Sequence, residues 1–370
     1  WTPYAFFGVT LAINIWILSR GISGGIEKLA RIGMPILFAF AAVLALVIFL
    51  LPPGPDGSTA WTGLNFIYAP DLSRLGEPAV WLASAGQIFF TLSIGMGSLQ
   101  AYASYLSTKD DIALNGVATA ATNETAEVVL GGSIAIPAAV VFFGVSGAMV
   151  VAQSGAFNLG FATMPVVFQQ LPLGRLLGAL WFSLLFFAGI TSSVAMLTPI
   201  VAFFREEFGM GRRRVACVLG LVVGALGLLH VAWLEHGFLD EWDYWAGTFG
   251  LVVLALAETI IFVWIFGPTR AWQSIHQGAD IRIPRVFKLV ITYVTPAYLT
   301  VILLWWGWRD ALPILRLDRV APGSGAYVLL SRLALVLIAV ACVLLVRGAW
   351  KRNGYDDRAG FKATGSGAFS

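Results

Sequence analysis

The sequence predicts an all-α polytopic membrane protein, and three observations lead to this fold class. Of its 370 residues, 58% are hydrophobic and only 12% are charged, whereas a soluble domain carries about 25% charged residues. The mean hydropathy is +0.83. The chain also contains 14 tryptophans, a residue type that gathers at membrane–water interfaces. We therefore expect a multi-pass helical protein of the cell membrane, surrounded by the lipid bilayer.

Windowed hydropathy predicts nine membrane spans. They cover residues 3–19, 32–51, 81–106, 127–150, 174–204, 214–234, 244–267, 287–308 and 326–347. An odd number of spans puts the two termini on opposite sides of the membrane. If the carboxyl terminus is cytoplasmic, most of the 23 lysines and arginines lie inside, as the positive-inside rule requires. We therefore expect a cytoplasmic carboxyl terminus.

Two long stretches lie between the spans on the predicted outer side. Residues 52–80 are rich in Pro, Gly and Asp, and the pairs Pro55-Asp56 and Pro70-Asp71 predict turns. Residues 151–173 contain an apolar segment and predict either an interfacial loop or a lid over an opening. The polar, glycine-rich end of the chain predicts a disordered tail.

The third span contains a predicted break. Its middle reads Ser93-Ile94-Gly95-Met96-Gly97, and each glycine costs roughly 1 kcal/mol relative to alanine inside a helix. Backbone groups released by a break at membrane depth need protein, water or an ion as partners. Broken helices of this kind hold solutes in secondary transporters. The alternative is a glycine kink that serves only close helix packing.

Polar side chains inside other spans indicate where such a solute would bind. Asn123 and Glu127 are four residues apart and share a helix face. Thr191-Ser192-Ser193 follows Gly189 in an otherwise aliphatic and aromatic span. Single membrane hydroxyls usually bond to their own helix. Three in a row, together with Thr91 and Asn123, form a set of hard oxygen donors of the type that binds hard cations.

Other features narrow the function class. Two cysteines in different spans and three scattered histidines indicate neither a disulfide framework nor a transition-metal site. The net charge of +3 points to no nucleic-acid partner. A channel would need a continuous polar stripe, whereas these polar residues gather at one depth. No nucleophile, base or metal set of a membrane enzyme is seen in the sequence.

At these residues the chain resembles the neurotransmitter:sodium symporter family, and its bacterial leucine-transporter-like members in particular. The resemblance rests on motifs spread over nearly the whole chain. They are RGISGGIEK at 20–28, GQIFFTLS at 86–93, YASY at 102–105, AEVVLGGS at 126–133, IPA at 136–138, FAGITSS at 187–193, WAGTFG at 245–250 and WIFG at 264–267.

The resemblance implies an inverted-repeat transporter fold in which the nine spans correspond to family helices four to twelve of twelve, with the first three absent. Residues 1–51 would be the last two helices of the first repeat and 52–80 an outer loop. Residues 81–267 would be the second repeat, with a lid loop at about 151–173. Two terminal helices would occupy 287–347 and a cytoplasmic tail 348–370. We expect these 370 residues alone to neither transport nor bind sodium tightly.

The resemblance also implies two sodium ions and a substrate pocket. Thr91 and Asn123 would contribute to the first sodium site, and Ala188, Thr191 and Ser192 to the second. The substrate-binding residues would be Phe90, Thr91, Ser93, Met96, Ser192 and Met196.

Further roles follow from the resemblance. Asp243 and Phe157 would close the outer mouth, and Glu206, supported by Tyr105, would close the inner one. Chloride-dependent animal members have a serine where this chain has Glu127, near Gln87. That carboxylate would replace chloride beside the first sodium site.

The predicted function is therefore sodium-coupled, chloride-independent symport of an amino acid, hydrophobic or aromatic in view of the adaptable methionines of the pocket. A transport-inactive relative that senses amino acids stays open, as does a carrier of another small amine. Association of two copies also stays open.

Overall fold

The computed structural model describes residues 2–21, 25, 27–107, 109–318 and 320–355. Every regular element in these ranges is helical, which confirms the all-α prediction. The α-helices are α1 (Thr2–Arg20), α2 (Glu27–Phe49), α3 (Ala60–Tyr68), α4 (Pro78–Thr91), α5 (Ser98–Ala103), α6 (Ile112–Glu124), α7 (Ala135–Gln153), α8 (Ala156–Asn158), α9 (Met164–Gln169), α10 (Gly174–Phe208), α11 (Arg212–Ala232), α12 (Phe238–Trp242), α13 (Leu251–Ile260), α14 (Pro268–Ile275), α15 (Val286–Leu289), α16 (Thr295–Arg309), α17 (Ala311–Leu315) and α18 (Gly325–Asn353).

Short segments of other helix types join some of these elements. The π-helical segments are Thr125–Gly131, Leu159–Thr163, Asp243–Gly250, Ile261–Ile265 and Val290–Val294, and the 3₁₀ segments are Leu72–Gly76 and Leu234–His236. Several α-helices therefore continue through a π segment into a longer helical rod. Single-turn π segments of this kind are rare and gather at functional sites.

Seven helical stretches in the described residues are long and apolar enough to cross a membrane. They are Glu27–Phe49, Ile112–Gln153, Gly174–Phe208, Arg212–Ala232, Phe238–Ile265, Val286–Arg309 and Gly325–Asn353. The two other predicted spans coincide with the 19-residue α1 and with the pair α4 and α5. The chain is a multi-pass membrane protein.

The helical boundaries differ from the prediction by several residues at a number of ends, and most at the fourth span. The span predicted at 127–150 begins at Ile112, because the Ala, Gly, Thr and Asn residues of α6 have low hydropathy although they are helical. α18 continues to Asn353, beyond the predicted span end at 347. Residues 356–370 of the predicted tail lie outside the described residues. So do residues 22–24 and 26 of the first motif.

The predicted break in the third span is confirmed. α4 ends at Thr91 and α5 begins at Ser98. Between them, Ser93, Gly95 and Gly97 have φ angles of 57°, 79° and 75°. This left-handed conformation is the one that glycine adopts without steric cost. The two glycines therefore allow the chain to leave one helix and start the next within six residues.

α10 is the longest helix and the centre of the packing. It spans 35 residues without interruption, through the hydroxyl run and Pro199. Its neighbours include α1, α2, α5 and α11. Ile190, Val194 and Val201 are buried in one apolar cluster with residues of α1 and α11. This face of α10 is thus fixed to the scaffold.

The predicted outer loop at 52–80 contains both expected turns. Asp56 accepts hydrogen bonds from the Ser58 backbone N–H (3.0 Å) and hydroxyl (2.9 Å). Asp71 accepts from the Ser73 hydroxyl (2.5 Å) and N–H (3.1 Å) at the start of a 3₁₀ segment. These bonds favour the charged carboxylates and hold both pKa values below their usual range. Each aspartate therefore closes a turn after proline.

Candidate functional site

The break in the third span lies beside a cluster of four polar side chains. Asn123 Nδ2 donates a hydrogen bond to Thr91 Oγ1 over 2.8 Å. The Thr91 hydroxyl donates in turn to Glu127 Oε2, and Gln87 Nε2 donates to Glu127 Oε1. Two helices thus contribute two polar residues each. The structure brings these four predicted residues together; their roles stay predictions.

Helical spacing explains how the cluster forms. Gln87 and Thr91 are four residues apart near the end of α4, and Asn123 and Glu127 are four residues apart where α6 passes into a π segment. Residues spaced by four share one face of a helix. The two faces meet at the end of α4, and the chain leaves the helix directly after Thr91. The cluster therefore borders the unwound backbone.

A second group of oxygens lies on α10. The Thr191 hydroxyl donates to the carbonyl oxygens of Phe187 (2.9 Å) and Ala188 (3.0 Å). Ser192 follows on an exposed side of the helix. Bonding of a hydroxyl to its own helix is the common behaviour of membrane threonines. Here it also places two of the predicted ligand atoms, Ala188 O and Thr191 Oγ1, within one hydrogen-bond length.

The break contacts α10 near two of the predicted pocket residues, Met96 and Met196. The Ser98 hydroxyl at the start of α5 donates to the Ala195 carbonyl of α10 over 3.2 Å. Met96 stands two residues before Ser98, and Met196 directly follows Ala195. Phe90 near the end of α4 is 43% exposed. The break therefore meets α10 at Ala195, within about one helical turn of the hydroxyl run.

The predicted gate residues lie at helix ends. Asp243 is the first residue of a π segment and is exposed. Phe157 stacks on Phe161, with ring centroids 4.8 Å apart, inside the predicted lid loop. Glu206 near the end of α10 and Tyr105 after α5 are both exposed. The contacts of these four residues leave their gating roles as predictions.

The lid loop is fastened to α10. Trp181 Nε1 donates to the Gly160 carbonyl over 2.9 Å, and the Phe168 ring lies against the Trp181 ring. Met164, Val167 and Phe168 are buried in one apolar cluster. The loop is consequently packed as a structured unit on the long helix.

Glu258 of α13 contacts the break and was not predicted from the sequence. Its Oε2 accepts a hydrogen bond from the Gly95 backbone N–H over 3.2 Å, inside the break. Glu258 also lines a cavity of about 820 Å³ together with Gly97 and Gln100. The available signal was its position as an ionisable residue in an apolar helix, which marks functional sites in membranes.

Three comparisons with known proteins show what the chain as a whole is similar to. The model of the sodium:neurotransmitter symporter family matches residues 5–351. An uncharacterized sodium-dependent transporter of Methanocaldococcus jannaschii is 32% identical over 296 residues, which are 77% of this chain and 57% of the relative. The sodium- and chloride-dependent neutral and basic amino acid transporter B(0+) of Mus musculus is 26% identical, over 81% of this chain and 48% of the relative.

Among solved structures, the crystal structure of MhsT in complex with L-phenylalanine superposes with a TM-score of 0.71 at 27% identity. The match covers 82% of this chain and 68% of MhsT. The chain thus spans about half to two thirds of the length of the curated relatives it matches. A transporter-family model that covers nearly the whole chain and a structural match of this quality lead to one conclusion: the chain belongs to the sodium:neurotransmitter symporter family.

Proposed function

We propose that this protein, in its full length, is a sodium-coupled amino-acid symporter that works by alternating access. The observation that carries the proposal is the hydrogen-bonded pair of Thr91 and Asn123 at the end of α4. Both side chains offer neutral oxygen atoms, and the backbone beside them is unwound. Hard oxygen ligands beside a broken helix suit a sodium ion.

The direction of the hydrogen bonds favours a cation at Thr91. Its hydroxyl proton is donated to the Glu127 carboxylate, so its oxygen lone pairs face Asn123 and the space beside it. A carboxylate that accepts this proton increases the negative charge on the hydroxyl oxygen. Thr91 and Asn123 would thus bind the first sodium ion. The Glu127 carboxylate would add negative charge through its hydrogen bond with the Thr91 hydroxyl.

The second sodium ion would bind on α10. Ala188 O and Thr191 Oγ1 lie 3.0 Å apart on one helix, and Ser192 adds a third oxygen. Both ions are transported with the substrate. If the first ion contacts the substrate carboxylate, each ligand raises the affinity of the other by the same factor, typically by about 1–3 kcal/mol of coupling.

Sodium titration of amino-acid uptake tests the proposal. Isotope-labelled uptake by the full-length protein in proteoliposomes should rise with external sodium and stop when potassium replaces it. Sodium-dependent binding without uptake would instead favour the amino-acid sensor. Uptake that is indifferent to sodium would exclude the symporter.

The substrate class follows from the pocket. Met96 and Met196 are flexible and fill irregular apolar space. MhsT is crystallised with L-phenylalanine, and the mouse relative is named for neutral and basic amino acids. We propose a hydrophobic or aromatic L-amino acid as the substrate of this protein. In a competition panel, leucine, methionine and tryptophan should compete best; stronger competition by lysine, glutamate or a monoamine would contradict the assignment.

Independence from chloride rests on Glu127. Its carboxylate lies beside Thr91 and Gln87 and supplies a fixed negative charge next to the first ion. Wild-type uptake should therefore be unchanged when gluconate replaces chloride, and Glu127→Ser should make uptake depend on chloride. If wild-type uptake collapses without chloride, this role of Glu127 is wrong.

The gates and the topology complete the proposal. Asp243 and Phe157 would close the outer mouth, Glu206 with Tyr105 the inner one, and the carboxyl terminus would be cytoplasmic. The division into repeats at 1–51 and 81–267 would follow the family arrangement. A protease site after α18 should be cut only from the cytoplasmic face of sealed vesicles; cutting from outside would reverse the topology.

A further inference from the structure

Ser193 completes the hydroxyl run of α10, and the proposed sodium sites do not use it. Its hydroxyl donates to Asn14 Oδ1 on α1, a residue 179 positions earlier in the chain, and the Ile190 carbonyl of its own helix is a second, longer acceptor at 3.3 Å. Asn14 is only 8% exposed. The bond therefore joins two membrane helices through side chains.

Asn14 is itself held in one orientation. Its Nδ2 donates to the Thr10 carbonyl of its own helix over 3.0 Å, so its oxygen must face α10. The surroundings are apolar: Ile17, Leu18, Ile190 and Val194 belong to one buried cluster. In such surroundings an unmade polar contact is costly, because no water replaces the lost partner.

The apolar packing between α1 and α10 is incomplete beside this bond. A cavity of about 130 Å³ lies against the bond and is lined by Thr10, Asn14, Ser193 and Leu197, among others. Atoms beside a void lack contacts on that side. The polar bond between Ser193 and Asn14 is the directional contact that spans this gap.

The rotation of α10 determines where its other hydroxyls point. With 3.6 residues per turn, successive residues are about 100° apart around the axis. When Ser193 is held against α1, Ser192 and Thr191 are turned away from α1. The Thr191–Ala188 pair lies within α10 and turns with the helix, so the rotation sets the direction in which both oxygens face.

We propose that Asn14 is a positioning residue for the sodium-binding hydroxyls of α10, acting through Ser193. The inference rests on the proposed second sodium site. α1 itself contributes no ligand; it sets the direction in which Thr191 and Ser192 face. Loss of the bond should weaken sodium binding while leaving the folded protein largely intact.

Sodium dependence of uptake by the full-length protein tests this role. Asn14→Leu and Ser193→Ala should each raise the sodium concentration for half-maximal uptake about three- to tenfold, in line with the measured strength of hydrogen bonds between membrane helices. The maximal rate should recover at saturating sodium. Ser193→Thr, which keeps a hydroxyl, should restore most of the sodium affinity.

Thr300→Val is the matched control. The Thr300 hydroxyl donates to the Pro296 carbonyl of its own helix (2.7 Å), and the residue is exposed on α16. This variant should keep the wild-type sodium dependence. The increase in unfolding temperature that sodium causes, measured without substrate, should need higher sodium concentrations in Asn14→Leu and Ser193→Ala than in the wild type.

The outcomes separate the two proposals. A wild-type protein that is insensitive to sodium contradicts the proposed function. A sodium-dependent wild type whose half-maximal sodium concentration is unchanged in Ser193→Ala overturns the positioning role. That role is also overturned if Asn14→Leu and Ser193→Ala lower only the amount of folded protein. If Asn14→Leu does not fold, the sodium dependence of Ser193→Ala alone tests the positioning role.

Discussion

The break at residues 92–97 and the hydroxyl run on α10 offer oxygens for the proposed ions in opposite ways. The backbone of the break is not α-helical, and three of its residues have positive φ angles. α10 stays helical over 35 residues, and its Thr191 hydroxyl bonds to carbonyls of the same helix. The comparison shows that a membrane helix can offer oxygens by unwinding or by adding hydroxyls to an intact helix.

The two regions also differ in what holds them. The Gly95 amide depends on Glu258 of α13, 163 residues later in the chain. α10 is held by buried apolar residues such as Ile190 and Val194, together with bonds inside the helix. The break is therefore more sensitive to single substitutions than the hydroxyl run, and four predictions test this difference.

The largest effect is expected from adding a methyl group at each region. Gly95→Ala forces alanine into a left-handed conformation, at a cost of about 1–2 kcal/mol, and its Cβ would lie 3.2 Å from the Leu251 carbonyl oxygen. Gly189→Ala on α10 meets open space and should stabilise the helix by up to about 1 kcal/mol. Thermal unfolding in detergent should separate the two variants. Equal unfolding temperatures would contradict the distinction.

A smaller loss is expected when the partner of the break is removed. Glu258→Leu leaves the Gly95 N–H without its acceptor and should destabilise the protein by about 1–2 kcal/mol. Glu258→Gln keeps an oxygen acceptor and should retain most of the stability. If the glutamine variant loses as much as the leucine variant, the charge of Glu258 matters more than its hydrogen bond.

On α10, removal of a polar group should reduce the free energy of unfolding by less than it does at the break. Thr191→Val removes one hydroxyl but leaves the Phe187 and Ala188 carbonyls in their helical hydrogen bonds, so we expect a loss of less than about 1 kcal/mol. The same variant should weaken sodium binding strongly. A large loss of stability in sodium-free buffer would show that the hydroxyl is structural.

The smallest effect concerns the loop that follows the break. Asp111 accepts from the Leu114 N–H (2.7 Å) and from the Asp280 N–H (2.6 Å), and these bonds lower its pKa. Because the folded-state pKa is depressed, the contribution to stability is present above the ordinary aspartate value and is lost as pH falls through the lowered one. The difference in unfolding temperature between wild type and Asp111→Asn should therefore shrink in acid. A difference that is constant with pH would contradict this.

The features that sequence analysis predicted are local. The break was predictable because glycines and hydroxyls stand within five residues of each other, and the pairs Gln87–Thr91 and Asn123–Glu127 follow from helical spacing. The start of the fourth span at Ile112 was not predictable in this way. Hydropathy measures transfer to lipid, and the Asn, Thr and Gly residues of α6 lower it although they are helical. The π segments leave no recognisable pattern.

The missed residues have distant partners. Glu258 contacts Gly95 across 163 positions and Asn14 contacts Ser193 across 179. Each is a strongly polar residue in a mainly apolar helix. Such a residue indicates that a polar partner exists but does not identify that partner. Only the folded arrangement of α1, α10 and α13 brings these pairs together.

The Glu258–Gly95 bond has a consequence for how the protein is made. Residues 92–97 leave the ribosome long before α13 is synthesised, so the Gly95 amide has no Glu258 to bond while the third span enters the membrane. Until then this amide needs another acceptor, such as water or a carbonyl of its own segment. The bond that links the break to α13 is therefore a late event of biogenesis, formed only when α13 arrives beside it.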